Sequence, residues 1–515
     1  MAYCRRDIIT PSLFDEYHTI EERVNDIFIE TPTTDSGWSF WNGNMVGGSS
    51  NLMSGMFHRM HPDDFRLKSV YGEIDGANIE DWVISYNELE PYYDLAEELV
   101  GVSGLSRGHR YEAPRKRKKF YQPPTQENRI TKLFDESCKR LNLTPLITAR
   151  AILSKEREGR DSCYYSNFCG SYGCGSGAKG SSLEAFITPA MATGNLRLLT
   201  NRQAIKLHSK KREVTSVEVV DTITKQHSKI YGKIFVVASQ AHESVRLLFN
   251  SANKLYPNGL ANSSGELGKN LIFSAGGSGE GTFYEEDMRR EEFDEIMQRG
   301  LFVNRSILDW YVEDRWLKQK AKGGLVEFMF EHQNIISRAI KSRYENGRLL
   351  WGRELANRLE IKFKKSKTLR FEIFNDWLPT DDCFMTIDKK RVDIYGMPVG
   401  KLRINSHPKD LEVANRIAKK AKELLKEMGA RDISSFVSAT PPQNLIAGGC
   451  RFGDNPKKSI LDRNCRTHDI ENLYVADASF MPTGGSTPYT WTIYANALRV
   501  GDKIVDMLQY NDKKI

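Results

Sequence analysis

The chain has 515 residues, 40% of them hydrophobic, enough to bury a large core and, at this length, to build more than one domain. Its 74 Lys and Arg against 67 Asp and Glu leave a formal charge of +7, too slight for this size to point to nucleic acid. Eight cysteines do not make a secreted disulfide scaffold and no apolar run approaches the ~18 residues of a membrane span, so a cytoplasmic protein with free thiols is expected.

Met1–Asp7 lacks the apolar stretch of a signal peptide. After Trp38, Trp41 and the pair Met45-Val46 comes Gly47-Gly48-Ser49-Ser50-Asn51. Paired glycines let a backbone approach a flat ring or a pyrophosphate, and small hydroxyls add donors without bulk; the same pattern also suits an ordinary turn. Arg115-Lys116-Arg117-Lys118-Lys119 has no interleaved aromatic platform and is expected to be a solvated loop rather than a phosphate grip. Cys163, Cys169 and Cys174 are close enough to suggest an iron–sulfur cluster, but their spacing fits no standard cluster run, so a glycine-rich structural loop is expected.

Short apolar pieces alternate from Leu196 to Asp221, and Lys233–Ser239 reads as a buried strand followed by a helix from Glu243, a β-to-α passage of the doubly wound kind. Gly276-Gly277-Ser278-Gly279-Glu280-Gly281 precedes a polar stretch and is expected to be a loop. Leu411, Ala414, Ile417, Ala421, Leu424 and Met428 recur every three or four residues between Pro408 and Gly429, which predicts a surface helix. The strand-then-helix pattern returns at Asn472–Asp477, a turn over Pro482–Pro488, and an apolar helix from about Thr490.

Beyond these patterns, five ordered segments resemble the glucose–methanol–choline (GMC) oxidoreductases, in particular their sugar and gluconate dehydrogenase branch. They are Gly47–Phe65, Ile84–Tyr93, Val236–Ser244, Gly268–Leu271 and Asn472–Arg499. Within that family the chain also resembles the aminoglycoside-tailoring type of the paromamine 6′-oxidase class, which implies a place in antibiotic biosynthesis. The resemblance implies an α/β fold: a doubly wound FAD-binding domain from 1–66, 195–275 and 441–515, interleaved with an α+β substrate domain from 67–194 and 276–440 that carries a large antiparallel sheet. It also implies oxidation of a hydroxyl group on a carbohydrate or aminoglycoside, with no nucleic-acid or membrane partner.

Carried over by position, Gly47, Gly48, Ser49, Ser50 and Asn51 would pass along the flavin. Asp477 and Ala478 would offer backbone groups to its phosphate and ribityl region, and Thr490 and Trp491 would open a helix toward the pyrimidine edge. Leu52 stands where some relatives attach the flavin through a histidine, so non-covalent FAD is expected.

Two departures stand against this. Nothing before Trp38 supplies the strand, G-x-G-x-x-G turn and helix with which relatives begin. Either that unit is encoded upstream of Met1, or the chain lacks it and binds FAD weakly or not at all; the residues from Arg5 onward already resemble the segment that relatives carry just after the unit. Second, Ala447–Gly453 keeps the family's turn, yet the catalytic histidine position holds Leu445 and the C-terminal His/Asn position falls on Pro488, neither able to accept a proton. Asn444 is the nearest polar substitute, able to orient a hydroxyl but not to act as a base. His58, His61 and His242 lie in matched segments, where a structural role is the default reading. The competing reading is a catalytically silent homologue used for binding or scaffolding.

Overall fold

The computed structural model describes residues 18–24, 27–32, 43–166, 169–170, 172–273, 276–298, 302–312, 322–331, 335–441 and 445–512. The stretch around Arg5, Trp38 and Trp41, and the candidate Asn444, lie outside the described residues.

In chain order, the elements that build the site begin with helix α1, Tyr86–Val100, opened by a Ser85/Glu88 capping box and closed by left-handed Gly101. Strand β1, Pro145–Arg150, and strand β2, Phe235–Val237, come next, and β2 leads into helix α2, Ala241–Asn250. Then come β3 (Gly277–Tyr284), β4 (Gly324–Phe330) and β5 (Ser366–Asn375), followed by α3 (Pro408–Glu427), β6 (Leu473–Val475) and α4 (Thr490–Asp512).

A seven-stranded antiparallel sheet runs in the order Arg431–Phe436, β3, β5, β4, Arg305–Ile307, β1, Ser103–Leu105. Helix α3 lies across it, its Ile417, Ala421 and Leu424 buried against Phe283, Phe328 and Phe371. The spacing that predicts α3 is thus its sheet-facing stripe, with His407 capping the first turn.

The stretch Gly276–Gly281, expected to be a loop, is strand β3 from Gly277 onward. A Cβ on Gly279 would sit 2.2 Å from the Phe371 ring, and one on Gly281 would sit 2.9 Å from Ala430. The glycines alternate with Ser278, Glu280 and Thr282, a period of two in which the face against the core has been emptied of side chains.

The second core gathers α1, α2, α4 and the parallel pair β2–β6, which register Leu473↔Phe235 through Val475↔Val237. The antiparallel meander Arg202–Lys210, Glu213–Asp221, His227–Tyr231 feeds β2. A further sheet joins His18–Val24, Ile27–Pro32, Phe384–Val392 and Pro398–Arg403. Among the described residues no helix is long and apolar enough to cross a membrane.

Candidate active site

The glycine turn is built as its sequence requires. Gly47 (φ 87°) and Gly48 (φ 55°) take left-handed conformations that favour glycine, and the chain closes into a 3-10 turn over Gly48–Leu52. Its small polar groups are largely spent on the turn itself. Ser50 Oγ and Ser182 Oγ both donate to Gly47 O (2.6 and 2.8 Å), Asn51 Nδ2 donates to Val46 O (2.7 Å), and Ser49 Oγ accepts from Gly43 N (2.9 Å). Lys179 Nζ donates to Asn51 O, Cys169 O and Tyr172 O, and burial pulls its ammonium down to about 8.

This turn lies against α4. Burial pushes the Tyr494 phenol up to about 12, opposed by the hydroxyl of Ser50 and by Ser182. Three residues before it, Trp491 stacks on Phe57 (5.6 Å between centroids, 29°), carries the Arg59 guanidinium over its ring at 5.1 Å, and donates to Tyr93 O at 3.0 Å. Arg59 in turn meets Glu90 and Glu97. The first turn of α4, opened by Thr490, is therefore docked on α1, with Thr492 Oγ1 2.6 Å from Tyr93 OH.

Asp477 sits at the carboxyl end of β6. Its buried carboxylate accepts from Ser244 Oγ and from Ser479 N, tying the strand end to α2, while Ala478 begins the short turn that comes after. Burial pushes this carboxyl above the usual carboxylate range. Beside it, at the carboxyl end of β2, Gln240 adopts φ +77° and holds a buried amide oxygen that no described hydrogen bond reaches. Strand carboxyl ends are where open α/β sheets place ligands; here the Asp477, Ala478 and Ser479 carbonyls accept from Phe480 N, Met481 N and Cys450 N, which leaves the Gln240 amide oxygen as a buried acceptor without a described partner at this end. The structure joins Gly47–Asn51 to α4 and Asp477–Ala478 to α2; among the described residues no hydrogen bond or ion pair links the two groups directly. Nor do the described residues contain a strand, glycine turn and helix for the pyrophosphate.

Between α4 and the large sheet lies a cavity of about 50 Å³, lined by Phe57, His58, His61, Tyr311, Thr487 and Trp491 among others. It is well below the ~300 Å³ of a drug-sized cleft and above the ~15 Å³ that one water needs, a space suited to the reacting end of a small polar molecule. His58 Nε2 is hydrogen-bonded to the fully buried carboxylate of Glu327 on β4, whose other oxygen accepts from Thr148 Oγ1 at 2.9 Å. His61 Nδ1 accepts from Asp63 N at 3.3 Å; burial lowers its basicity, opposed by Asp64 and Asp63. Below the cavity, Lys322 Nζ is wedged between Asp64 and Asp376 (2.6 Å to the latter), and Tyr311 donates its hydroxyl to Asp64 at 2.5 Å. The two carboxylates outweigh burial and keep Lys322 an ammonium ion, while burial pushes Asp376 up.

Leu445 itself is held in a left-handed conformation (φ 57°), and its carbonyl accepts from the Tyr489 hydroxyl. Leu445, which the resemblance aligns with the family's histidine, is thus tied to Tyr489 at the end of the Pro482–Pro488 turn and brings an apolar side chain there. His242 lies fully buried in α2, 3.7 Å from Glu243, away from the cavity residues. Glu327, Thr148, Tyr311 and Lys322 had no local sequence signal: they converge because Arg305 pairs with Ile147 on one side and Phe328 on the other. His58 is delivered by Phe57 N donating to Ala149 O and Ala151 N donating to Gly55 O, which pin its segment to the end of β1.

The basic run is only partly a solvated loop. Lys118 and Lys119 are exposed, but Arg115 is buried against Glu97 and stacks on Phe120 at 3.9 Å, with Arg117 over Tyr121 at 3.8 Å. The aromatics come after the cluster in sequence instead of alternating with it, and a carboxylate compensates the desolvated Arg115 charge. Cys163, Cys169 and Cys174 pack around Ile152, Leu153 and Phe302. Burial pushes Cys163 up to about 11, whereas for Cys174 burial is outweighed by hydrogen bonds from Ser176 and the Lys179 backbone, which lower it. Among the described residues no group of three or more His, Cys, Asp or Glu is arranged to hold a metal ion.

Comparison with known proteins fits this architecture. Residues 29–273 and 379–497 match the N- and C-terminal family models of the GMC oxidoreductases. The chain is 28% identical to a 2-methyl-1,2-propanediol dehydrogenase of Mycolicibacterium austroafricanum (90% of this chain, 80% of that protein). It is 27% identical to paromamine 6′-oxidase of Streptomyces fradiae (90% and 79%). The crystal structure of pyridoxine 4-oxidase from Mesorbium loti superposes with a TM-score of 0.57 at 16% identity, covering 96% of this chain and 89% of that one. The two matched models, the antiparallel sheet facing a parallel strand pair and the shared site between them lead to one statement of kinship: this chain belongs to the GMC oxidoreductase family, whose members bind FAD.

Proposed function

We propose that the protein oxidises a carbinol group of a small polyol or amino-sugar to the carbonyl, with FAD held non-covalently. The flavin, when bound, supplies the two-electron acceptor for the hydride of the carbinol carbon. Gly47, Gly48, Ser49, Ser50 and Asn51, the ends of β2 and β6 at Gln240, Asp477 and Ala478, and Thr490 and Trp491 at the start of α4 form its contacts in this reading. The interleaved division into 1–66, 195–275, 441–515 and 67–194, 276–440 belongs to the same proposal; it is supported by the large sheet, which draws every strand from the second set.

The single observation that carries the reading is the cavity, where His58, Arg59 and His61 of the 55–65 segment, with Tyr311, meet the apolar Leu146, Ile147 and Ala149 of the large sheet and Trp491 at the start of α4. A diol and an aminoglycoside named among the relatives' substrates both present hydroxyl groups, which favours a hydroxylated substrate over an acid or a thiol. Leu445 and Pro488 favour the competing reading of a silent homologue, and one experiment separates the two. Recombinant protein should be yellow, release flavin into the supernatant on acid denaturation, and reduce a dye acceptor with a panel of diols and aminoglycosides. Protein that stays colourless after incubation with FAD excludes the oxidase reading.

A further inference from the structure

If hydroxyl oxidation takes place in this cavity, some group must take the hydroxyl proton, and Leu445 and Pro488 cannot. We propose that His58, oriented by Glu327, is that proton acceptor. The inference rests on the oxidation reading and goes beyond it by naming a residue outside the family's histidine position.

The geometry assigns the tautomer. A carboxylate only accepts, so the imidazole nitrogen bonded to Glu327, Nε2, carries the hydrogen, and Nδ1 holds the lone pair. Among the described residues Nδ1 has no hydrogen-bond partner, and the ring lines the cavity. Glu327 is itself fully buried and fixed by Thr148 from the neighbouring part of the sheet, so base, orienting carboxylate and supporting hydroxyl form one chain from cavity wall to sheet interior. When Nδ1 takes the proton, the O–H bond breaks and its electron pair becomes the second bond of the carbonyl. The hydrogen of the carbinol carbon leaves with its own pair to the two-electron acceptor. The imidazolium formed is stabilised by Glu327.

Other titratable or charged groups around the cavity are committed elsewhere. Arg59 and Arg115 meet Glu97, Tyr311 donates to Asp64, and Glu112 accepts from Gly108 N. His61 has its Nδ1 occupied by the Asp63 N–H, and the Asp63 carboxylate sits at that same nitrogen, 3.7 Å away; among the described residues no carboxylate pairs with its other ring nitrogen to aim a lone pair into the cavity. Tyr111 also lines the space, as a phenol packed edge-on to His61.

The test uses the flavin-loaded full chain. His58→Asn should lower kcat on a turned-over polyol by about 10²–10⁴-fold while leaving flavin content and KM within a few-fold of wild type. Glu327→Gln keeps the hydrogen bond but removes the charge that favours imidazolium; the acid limb of kcat/KM and the NMR titration midpoint of His58 should both move to lower pH. The inference is overturned if His58→Asn stays within tenfold of wild type, or if Glu327→Gln moves neither the limb nor the resonance. Wild-type protein that holds flavin yet oxidises no hydroxyl compound overturns the oxidation reading, and this inference falls with it; an active wild type with an unaffected His58→Asn sinks the inference alone.

Discussion

Replacing Lys322 by Met tests whether the buried charge cluster under the cavity is held by that one cation. Met matches the length and most of the volume of the side chain, so packing is nearly conserved and the change isolates charge. In the native protein Lys322 sits between Asp64, fully buried, and Asp376, and Tyr311 donates to Asp64. At ~2.6 Å and an effective dielectric of ~20, one such pair is attractive by roughly 6 kcal/mol before desolvation is subtracted. Removing one partner of a buried pair typically costs about 3–5 kcal/mol, because the remaining charges stay desolvated. At ~2.1 cal/mol/K per residue, a chain of 515 residues unfolds with an entropy of ~1.1 kcal/mol/K, so that corresponds to a fall of roughly 3–5 °C in thermal midpoint at pH 8, read by scanning calorimetry at one fixed scan rate.

The pH dependence has a definite sign. Burial already raises Asp376 in the native protein, and losing Lys322 raises it further above its unfolded value. A carboxyl raised on folding destabilises when it must ionise, so the penalty of Lys322→Met should shrink as pH falls from 8 toward 5. The triple variant Asp64→Asn, Asp376→Asn, Lys322→Met should regain much of the loss at pH 8. A midpoint unchanged at pH 8, or an equal loss at pH 5 and 8, would refute the argument.

Two further outcomes are expected. Gly279→Val should destabilise by at least about 1–3 kcal/mol, because its Cβ meets the Phe371 ring at 2.2 Å and Ser434 O at 2.5 Å in a packed sheet; the same substitution at exposed Gly396 would act through its backbone conformation (φ 76°) alone, and the two can be compared by thermal shift. With limiting iodoacetamide at pH 8, Cys174 should be alkylated before Cys163, since hydrogen bonds lower the first thiol and burial pushes the second to about 11; peptide mass spectrometry reads the order, and preferential labelling of Cys163 would contradict it.

Local pattern determined much of this protein. The 3.6-residue stripe from Leu411 to Met428 fixed α3, the apolar run before Ser239 fixed β2, and the strand, turn and helix from Asn472 onward fixed β6 and α4, because each is decided by neighbours in the chain. The glycine pair at 47–48 was legible as a turn for the same reason: only glycine adopts those φ values freely. Tertiary structure alone decided the rest. The glycines of β3 read as a loop until Phe371 and Ala430 supply the bulk they make room for. Arg115 reads as solvated until the chain folds back on α1 and sets it against the buried Glu97, 18 residues earlier. The pairing of His58 with Glu327, 269 residues apart, exists because antiparallel register lays Thr148 and Glu327 beside the segment that carries His58. Hydrogen bonds between sheet strands impose that neighbourhood, and no one-dimensional pattern encodes which strands will meet.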